Sequence, residues 1–236
     1  ITTRQGGVSV GEYASLNLGL HVGDALDAVR ENRHRLLQLL PAEPLWLNQV
    51  HGIRVARIDG NTVPGLAPEA DAVMTRLSAS PCAVLVADCL PILLCDEGGT
   101  CVAAVHAGWR GLAAGVIEHT VDKMLESALV APEKLMAYLG PAIGATAFEV
   151  GQEVVDAFTA QAPKAAQAFQ PRDDKPGKYL ADIFQLARQR LAKSGVKRVY
   201  GGRHCTVSEP DRFFSYRRDG RTGRMAALIW IDKDQP

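Results

Sequence analysis

Two apolar runs, Cys82-Ala83-Val84-Leu85-Val86-Ala87 and Cys101-Val102-Ala103-Ala104-Val105, have no polar residue at alternate positions. A strand with one solvated face alternates, so strands like these are covered on both faces by other layers. They belong to a series of short β-branched or apolar segments at 45–48, 54–58, 71–75, 82–87, 92–95 and 101–105, divided by Gly, Pro and Asp. Before this series, Val29, Arg33, Leu36, Leu37 and Leu40 recur at three and four, which predicts a helix from an Asp24 cap to Leu40, ended by Pro41.

After it the period becomes helical from Leu112, with Val116, Thr120, Val121, Met124, Leu125 and Ala128 on one stripe. Further on, 135–139, 196–200 and 225–231 read as strands, 152–160 and 180–193 as helices, with Gly195 closing the latter. Asp219-Gly220 predicts the turn of a hairpin with a basic tip. Strands and helices without strict alternation predict an α+β fold, mixed sheets covered by helices. At 236 residues and 47% hydrophobic content the chain can bury the core of one domain spanning 1–236.

Lys plus Arg (26) balances Asp plus Glu (26), so no global charge draws the protein to nucleic acid or an anionic membrane. The longest apolar run is far short of the roughly 20 residues that span a bilayer. No basic-then-apolar leader follows Ile1, and the five cysteines are odd in number and lack a Cys-x-x-Cys pair. These features predict a soluble protein of a reducing, cytoplasmic compartment.

Chemistry concentrates in Leu47-Asn48-Gln49-Val50-His51-Gly52, Ala87-Asp88-Cys89-Leu90-Pro91 and Val105-His106-Ala107-Gly108-Trp109-Arg110-Gly111. Two imidazoles and a thiolate, His51, His106 and Cys89, can hold Zn²⁺ while leaving a fourth position open, the arrangement of catalytic zinc. Taken singly, each has a plainer reading: Cys89 as a small buried hydrophobe, His51 or His106 as a satisfied loop histidine. Pro91 is expected to stop regular pairing after Cys89, and Gly108 and Gly111 to turn the chain sharply before a helix start. That helix start, with Arg110 beside it, is a candidate anion site. The Arg212–Arg221 run mixes aromatics with arginine, which suits nucleic acid stacking, but the neutral chain favours the hairpin account.

The segments 48–52, 87–91 and 106–111, with Leu139-Gly140-Pro141-Ala142-Ile143 and Phe214-Ser215-Tyr216-Arg217-Arg218, resemble the signatures of the YfiH-like, laccase-domain family. The resemblance extends from Thr3-Arg4-Gln5-Gly6-Gly7-Val8-Ser9 to the last strand. That family is described both as multicopper polyphenol oxidases and as purine nucleoside phosphorylases with adenosine deaminase activity. The resemblance implies one domain in a layered α-β-β-α arrangement and a metal site made of His51, Cys89 and His106. Zinc is the expected metal, with copper possible.

For deamination a carboxylate must move protons, and Asp88 and Asp71 are the candidates, each with a plainer reading as an orienting or turn residue. For phosphorolysis, Arg4 and Arg110 can supply positive charge, with Gln49 and Trp109 at the substrate. The implied partners are purine nucleosides and phosphate, with neither nucleic acid nor membrane. Copper-dependent phenol oxidation is an alternative, since copper favours such N/S ligands. Six histidines without a His-x-His pair argue against blue and trinuclear copper centres. A third reading uses Cys89 as nucleophile and His106 as base in an amidase-type hydrolase acting on a peptidoglycan precursor.

Overall fold

The unalternating runs become the innermost strands of two stacked sheets. The computed structural model describes residues 1–63 and 65–232; Pro64 and the last four positions of the expected 1–236 domain lie outside the described residues. In chain order the elements are α1 (Leu26–Leu37), β1 (Val55–Ile58), β2 (Ala72–Thr75), β3 (Cys82–Val86), β4 (Leu90–Asp96), β5 (Val102–Ala107), α2 (Trp109–Ala114) and α3 (Val116–Ala128). They continue with β6 (Leu135–Leu139), β7 (Glu149–Gly151), α4 (Gln152–Thr159), β8 (Phe169–Pro171), β9 (Lys178–Ala181), α5 (Ile183–Lys193), β10 (Arg198–Gly201), α6 (Tyr216–Asp219) and β11 (Met225–Ile229).

A six-stranded sheet runs β1-β2-β5-β4-β6-β10, parallel at its two outer pairs and antiparallel inside. A two-stranded antiparallel sheet, β11-β3, lies over it, and β7-β9-β8 form a small third sheet. Residue parity shows the layering. Ala103, Val105 and Ala107 of β5, with Ile92 and Leu94 of β4, pack with α3 and α5 residues such as Val121, Met124 and Leu191. Val102 and Ala104 point the other way, onto Cys82 and Val84 of β3 and Ala227 of β11. The opposite face of that small sheet, Leu85 and Ala226, meets Leu36 of α1. The order is helices, six-stranded sheet, two-stranded sheet, helix: the α+β, α-β-β-α arrangement.

Several local expectations need correction. Residues 45–48 make only isolated bridges, Leu45 to Cys82 and Asn48 to Glu69. Asp24 does not cap α1; its Oδ2 accepts from Ser9 and Asn17, and Ala25 is the cap residue. Pro91 does not stop pairing, because it lies within β4 opposite His106. The stripe from Leu112 is broken by left-handed Gly115 into α2 and α3. The helix expected at 180–193 starts later, since Leu180 pairs in β9 and Asp182 caps α5 by accepting from the Gln185 N–H. The Asp219-Gly220 hairpin is a single helical turn: the Ser215 hydroxyl accepts from the Arg218 N–H, and Gly220 follows as the cap.

Leu129, which ends α3, adopts a left-handed φ of 54° while its side chain is 88% exposed. An L-residue with a Cβ strains there and this one buries nothing in return. Leu129→Gly is expected to stabilise the protein by about 0.5–1 kcal/mol, read as a rise in the urea unfolding midpoint at unchanged slope.

Candidate metal and substrate site

His51 sits in the loop before β1, with a left-handed φ of 61°. No glycine relieves that conformation; a buried carboxylate holds it. Asp71, fully buried just before β2, accepts from the His51 N–H (2.8 Å) through Oδ1, and from the N–H groups of Val50 (3.2 Å) and Gly52 (2.6 Å) through Oδ2. Its Oδ1 also lies 2.8 Å from His106 Nδ1, and its carbonyl accepts from the His106 N–H. His106, 3% exposed, is an even-numbered residue of β5 like Val102 and Ala104, so its ring faces the small sheet. Asp71 thereby keeps the proton on Nδ1 and presents Nε2 of His106 to the cluster as its ligand atom.

Cys89 lies in the one-turn reversal between β3 and β4, after Asp88 with its φ of 91°. Both Asp88 oxygens are engaged, Oδ1 by the Thr206 hydroxyl (2.6 Å) and Oδ2 by the Arg217 N–H at the start of α6 (2.6 Å). Ligand atoms of His51, Cys89 and His106 all lie within 4.8 Å of one another, and Cys89 Sγ is 3.8 Å from His51 Nε2. Burial pushes the Cys89 thiol up, but the charge and hydrogen bond of His106, helped by His51, bring it down to about 6. Burial likewise pulls His106 down, while the Cys89 thiolate and the Asp71 hydrogen bond carry it up to about 9. The donor set therefore fits a thiolate-binding divalent ion: soft and borderline ligands, close together, with the imidazole oriented from behind.

Gly108 is needed for space rather than for a special φ. A Cβ there would stand 2.8 Å from His51 Cδ2 and 3.0 Å from Cys89 Sγ. Gly111 has the same role one turn later, where a Cβ would meet the Gly52 carbonyl at 2.7 Å. Together they let the start of α2 lie against the His51 loop.

The cluster opens on a cavity of about 370 Å³ walled by His21, Gln49, His51, Leu85, Val86, Ala87, Cys89, His106, Tyr216 and Arg224. A second hollow of about 250 Å³ lies across Cys89 and Tyr216, with Asp88, Trp109, Arg110, Ile143, Phe148, Ile183 and Arg217. The expected site residues divide between them. Gln49 reaches the first, although its amide pairs with the Leu85 N–H and carbonyl and so acts as a strand beside β3. Trp109 and Arg110 line the second, the guanidinium stacked 4.5 Å from the Trp109 ring. Arg4 lines neither: it donates to the Ala14 and Pro210 carbonyls and stacks on Phe214. Tyr216 belongs to the signature segment 214–218, whereas His21 and Arg224 escaped the sequence reading because no signature segment contains either.

A family model described as multi-copper polyphenol oxidoreductase laccase matches residues 1–232. Over 98% of this chain it is 54% identical to a Shigella flexneri protein and 53% identical to an Escherichia coli (strain K12) protein, both named purine nucleoside phosphorylase YfiH, covering 92% of each. The crystal structure of Neisseria meningitidis protein NMB0706 superposes with a TM-score of 0.91 at 55% identity, covering 98% of this chain and 93% of that one. YlmD from Geobacillus stearothermophilus gives 0.87 at 34% identity, covering 98% and 90%.

Burial alone would raise Asp71, but the His106 hydrogen bond, the Gly52 and His51 N–H groups and the His106 charge outweigh it and lower its pKa. The stabilisation is thus present above roughly pH 4, the unfolded value, and is lost as pH falls through the lower folded value. Asp71→Asn should flatten this acid limb of the stability profile and weaken metal binding by about 10–100-fold, checked by urea titration against pH and chelator competition. In metal-free protein, the 240 nm thiolate absorbance of wild type minus Cys89→Ser should titrate near pH 6, as set by the Cys89 environment; a midpoint near the ordinary thiol value would remove the thiolate–imidazolium account.

Proposed function

Because the chain belongs to the multi-copper polyphenol oxidoreductase laccase family, we propose that it is a zinc-dependent purine nucleoside phosphorylase that also deaminates adenosine. Its substrates in this reading are adenosine, inosine, guanosine and methylthioadenosine. The observation that carries it is the His51–Cys89–His106 cluster on the wall of a 370 Å³ cavity, a volume within the ~300–1,000 Å³ of small-molecule sites. Relatives that share nearly the whole chain bear the name purine nucleoside phosphorylase.

His51, Cys89 and His106 would hold the ion. A bound zinc supplies Lewis acidity toward water or a substrate heteroatom. In phosphorolysis a phosphate oxygen bonds to ribose C1′ as the C1′–N bond to the base breaks with its electron pair on the base. The proton that hydrogen phosphate gives up ends on the departing base. Asp71 is the positioning residue, since its buried carboxylate is filled by N–H donors and faces His106 from behind. Asp88 borders the second hollow beside Cys89, but the Thr206 hydroxyl and the Arg217 N–H fill its two oxygens, so it too serves to position, holding the reversal that carries Cys89. Leu85, Val86, Ala87 and Tyr216 offer the apolar surface on which a ribose can lie.

The contact between a low-pKa Cys89 and a protonated His106 also suits a cysteine nucleophile with an imidazole partner. One experiment separates the readings: metal analysis of the purified protein together with a nucleoside panel assayed with and without phosphate. About one zinc per chain, phosphate-dependent release of free base and ribose 1-phosphate, and loss of both zinc and turnover in Cys89→Ser are expected. Undiminished turnover in a zinc-free Cys89→Ser protein would refute the metal mechanism. Amide hydrolysis abolished by thiol alkylation, with nucleosides untouched throughout, would establish the nucleophile, and phenol oxidation only after copper loading would mark that activity as adventitious.

A further inference from the structure

Phosphorolysis requires a holder for a tetrahedral oxyanion, yet Arg4 lies outside both cavities and the Arg110 guanidinium stacks on Trp109. The larger cavity carries a different arginine. Arg224 precedes β11 and reaches the same space as Cys89 and His106. Its backbone is clamped on both sides, the N–H donating to Asn17 Oδ1 (2.9 Å) and the carbonyl accepting from the Leu18 N–H (3.0 Å). Asn17 is itself fully buried and donates to Asp24. The Arg224 stem runs over Gly19, where a Cβ would lie 2.8 Å from its Cγ.

The guanidinium is held but not satisfied. Nη1 donates to the Thr222 and Gly223 carbonyls, whereas Nε and Nη2 have no hydrogen-bond partner among the described residues. Among the described residues no carboxylate lines the cavity and Arg224 makes no salt bridge. Burial lowers its pKa, and the opposing pull of Cys89, Asp88, Tyr216 and Tyr13 offsets that desolvation only in part. His21 shares the cavity, and burial with the charges of Arg224 and Arg33 lowers its pKa too, leaving a neutral hydrogen-bonding ring there at pH 7. A fixed guanidinium with two free donors, a neutral imidazole and no carboxylate is a receptor for a compact oxyanion.

We propose that Arg224, with His21 of the same cavity, forms the oxyanion subsite that receives inorganic phosphate as co-substrate. The assignment rests on the phosphorolytic reading above. It places the attacking group in the same cavity as the cluster, and leaves the hollow lined by Trp109, Ile143 and Phe148 for the base.

The test uses the zinc-replete full chain and the variants Arg224→Gln, Arg224→Lys and Gly19→Ala, with inorganic phosphate as the probe in kinetics and in calorimetry. Arg224→Gln should raise the phosphate KM and Kd by about tenfold or more while the nucleoside KM changes little. Arg224→Lys should recover part of the loss, since it keeps the charge but not the fork. Gly19→Ala should weaken phosphate in the same direction by pushing the arginine stem aside, with the guanidinium still present. A folded Arg224→Gln protein that binds phosphate as wild type does overturns the assignment. If wild type shows no phosphorolysis, the functional reading fails separately, and calorimetry still decides the subsite. A purine nucleoside 5′-monophosphate that outbinds phosphate in wild type and loses that advantage in Arg224→Gln would give the subsite to a substrate's own phosphate and overturn the co-substrate role.

Discussion

The site depends on one buried carboxylate. Asp71 receives three consecutive N–H groups from residues 50–52 and the Nδ1 of His106, so one side chain fixes both histidines of the cluster. A fully buried anion is tolerable only when its lone pairs are filled by donors, and each charge-assisted hydrogen bond contributes about 1.5–3 kcal/mol. The interaction also explains how His51 keeps a left-handed backbone that a non-glycine residue otherwise avoids. The hydrogen bonds that join them offset both the loop's strain and the desolvation of the carboxylate.

The location of the site follows from the layering. Along β5, odd residues enter the helix-facing core and even residues enter the space between the sheets, which is where His106 must point. Deeper in the strand that space is filled by Val102 and Ala104 against Cys82 and Val84. Toward the other end the pairing of β3 with β11 stops at Val86 and Met225, and the gap between the sheets becomes the cavity. Cys89 enters it from the reversal into β4 because Asp88 anchors that reversal to Thr206 and to the start of α6.

The layered fold was legible because runs such as 82–87 and 101–105 can be covered on both faces only between layers. The ligands were legible as residue types, although only the fold brings them within 4.8 Å of one another. Asp71 was recognisable as chemistry but not by role: a proton carrier and a positioning carboxylate look alike until the donors around them are known. Asp219-Gly220 misled for a definite reason, since the positive φ of Gly220 serves a hairpin turn and a helix cap equally, and Ser215 decided between them. Gln49 lines the cavity while its amide serves as a strand beside Leu85. Arg224 was hidden among the arginines of 212–224, and only a clamp built from Asn17 and Leu18 distinguishes it.

The electrostatics of the cluster bear on how it would accept a metal. Without an ion, Cys89 and His106 stabilise each other as thiolate and imidazolium, the thiol near 6 and the imidazole near 9. The thiolate is then already formed at neutral pH, while the histidine still carries the proton that occupies its ligand position. An ion entering the cluster must displace that proton, so its affinity grows as pH rises toward the His106 value and weakens as it falls. Asp71 keeps its bond to Nδ1 in either state, so the ring need not turn when the proton leaves Nε2. Gly108 removes the remaining obstacle, since any side chain there would press on His51 and on the Cys89 sulfur, the two ligands with the least cover of their own.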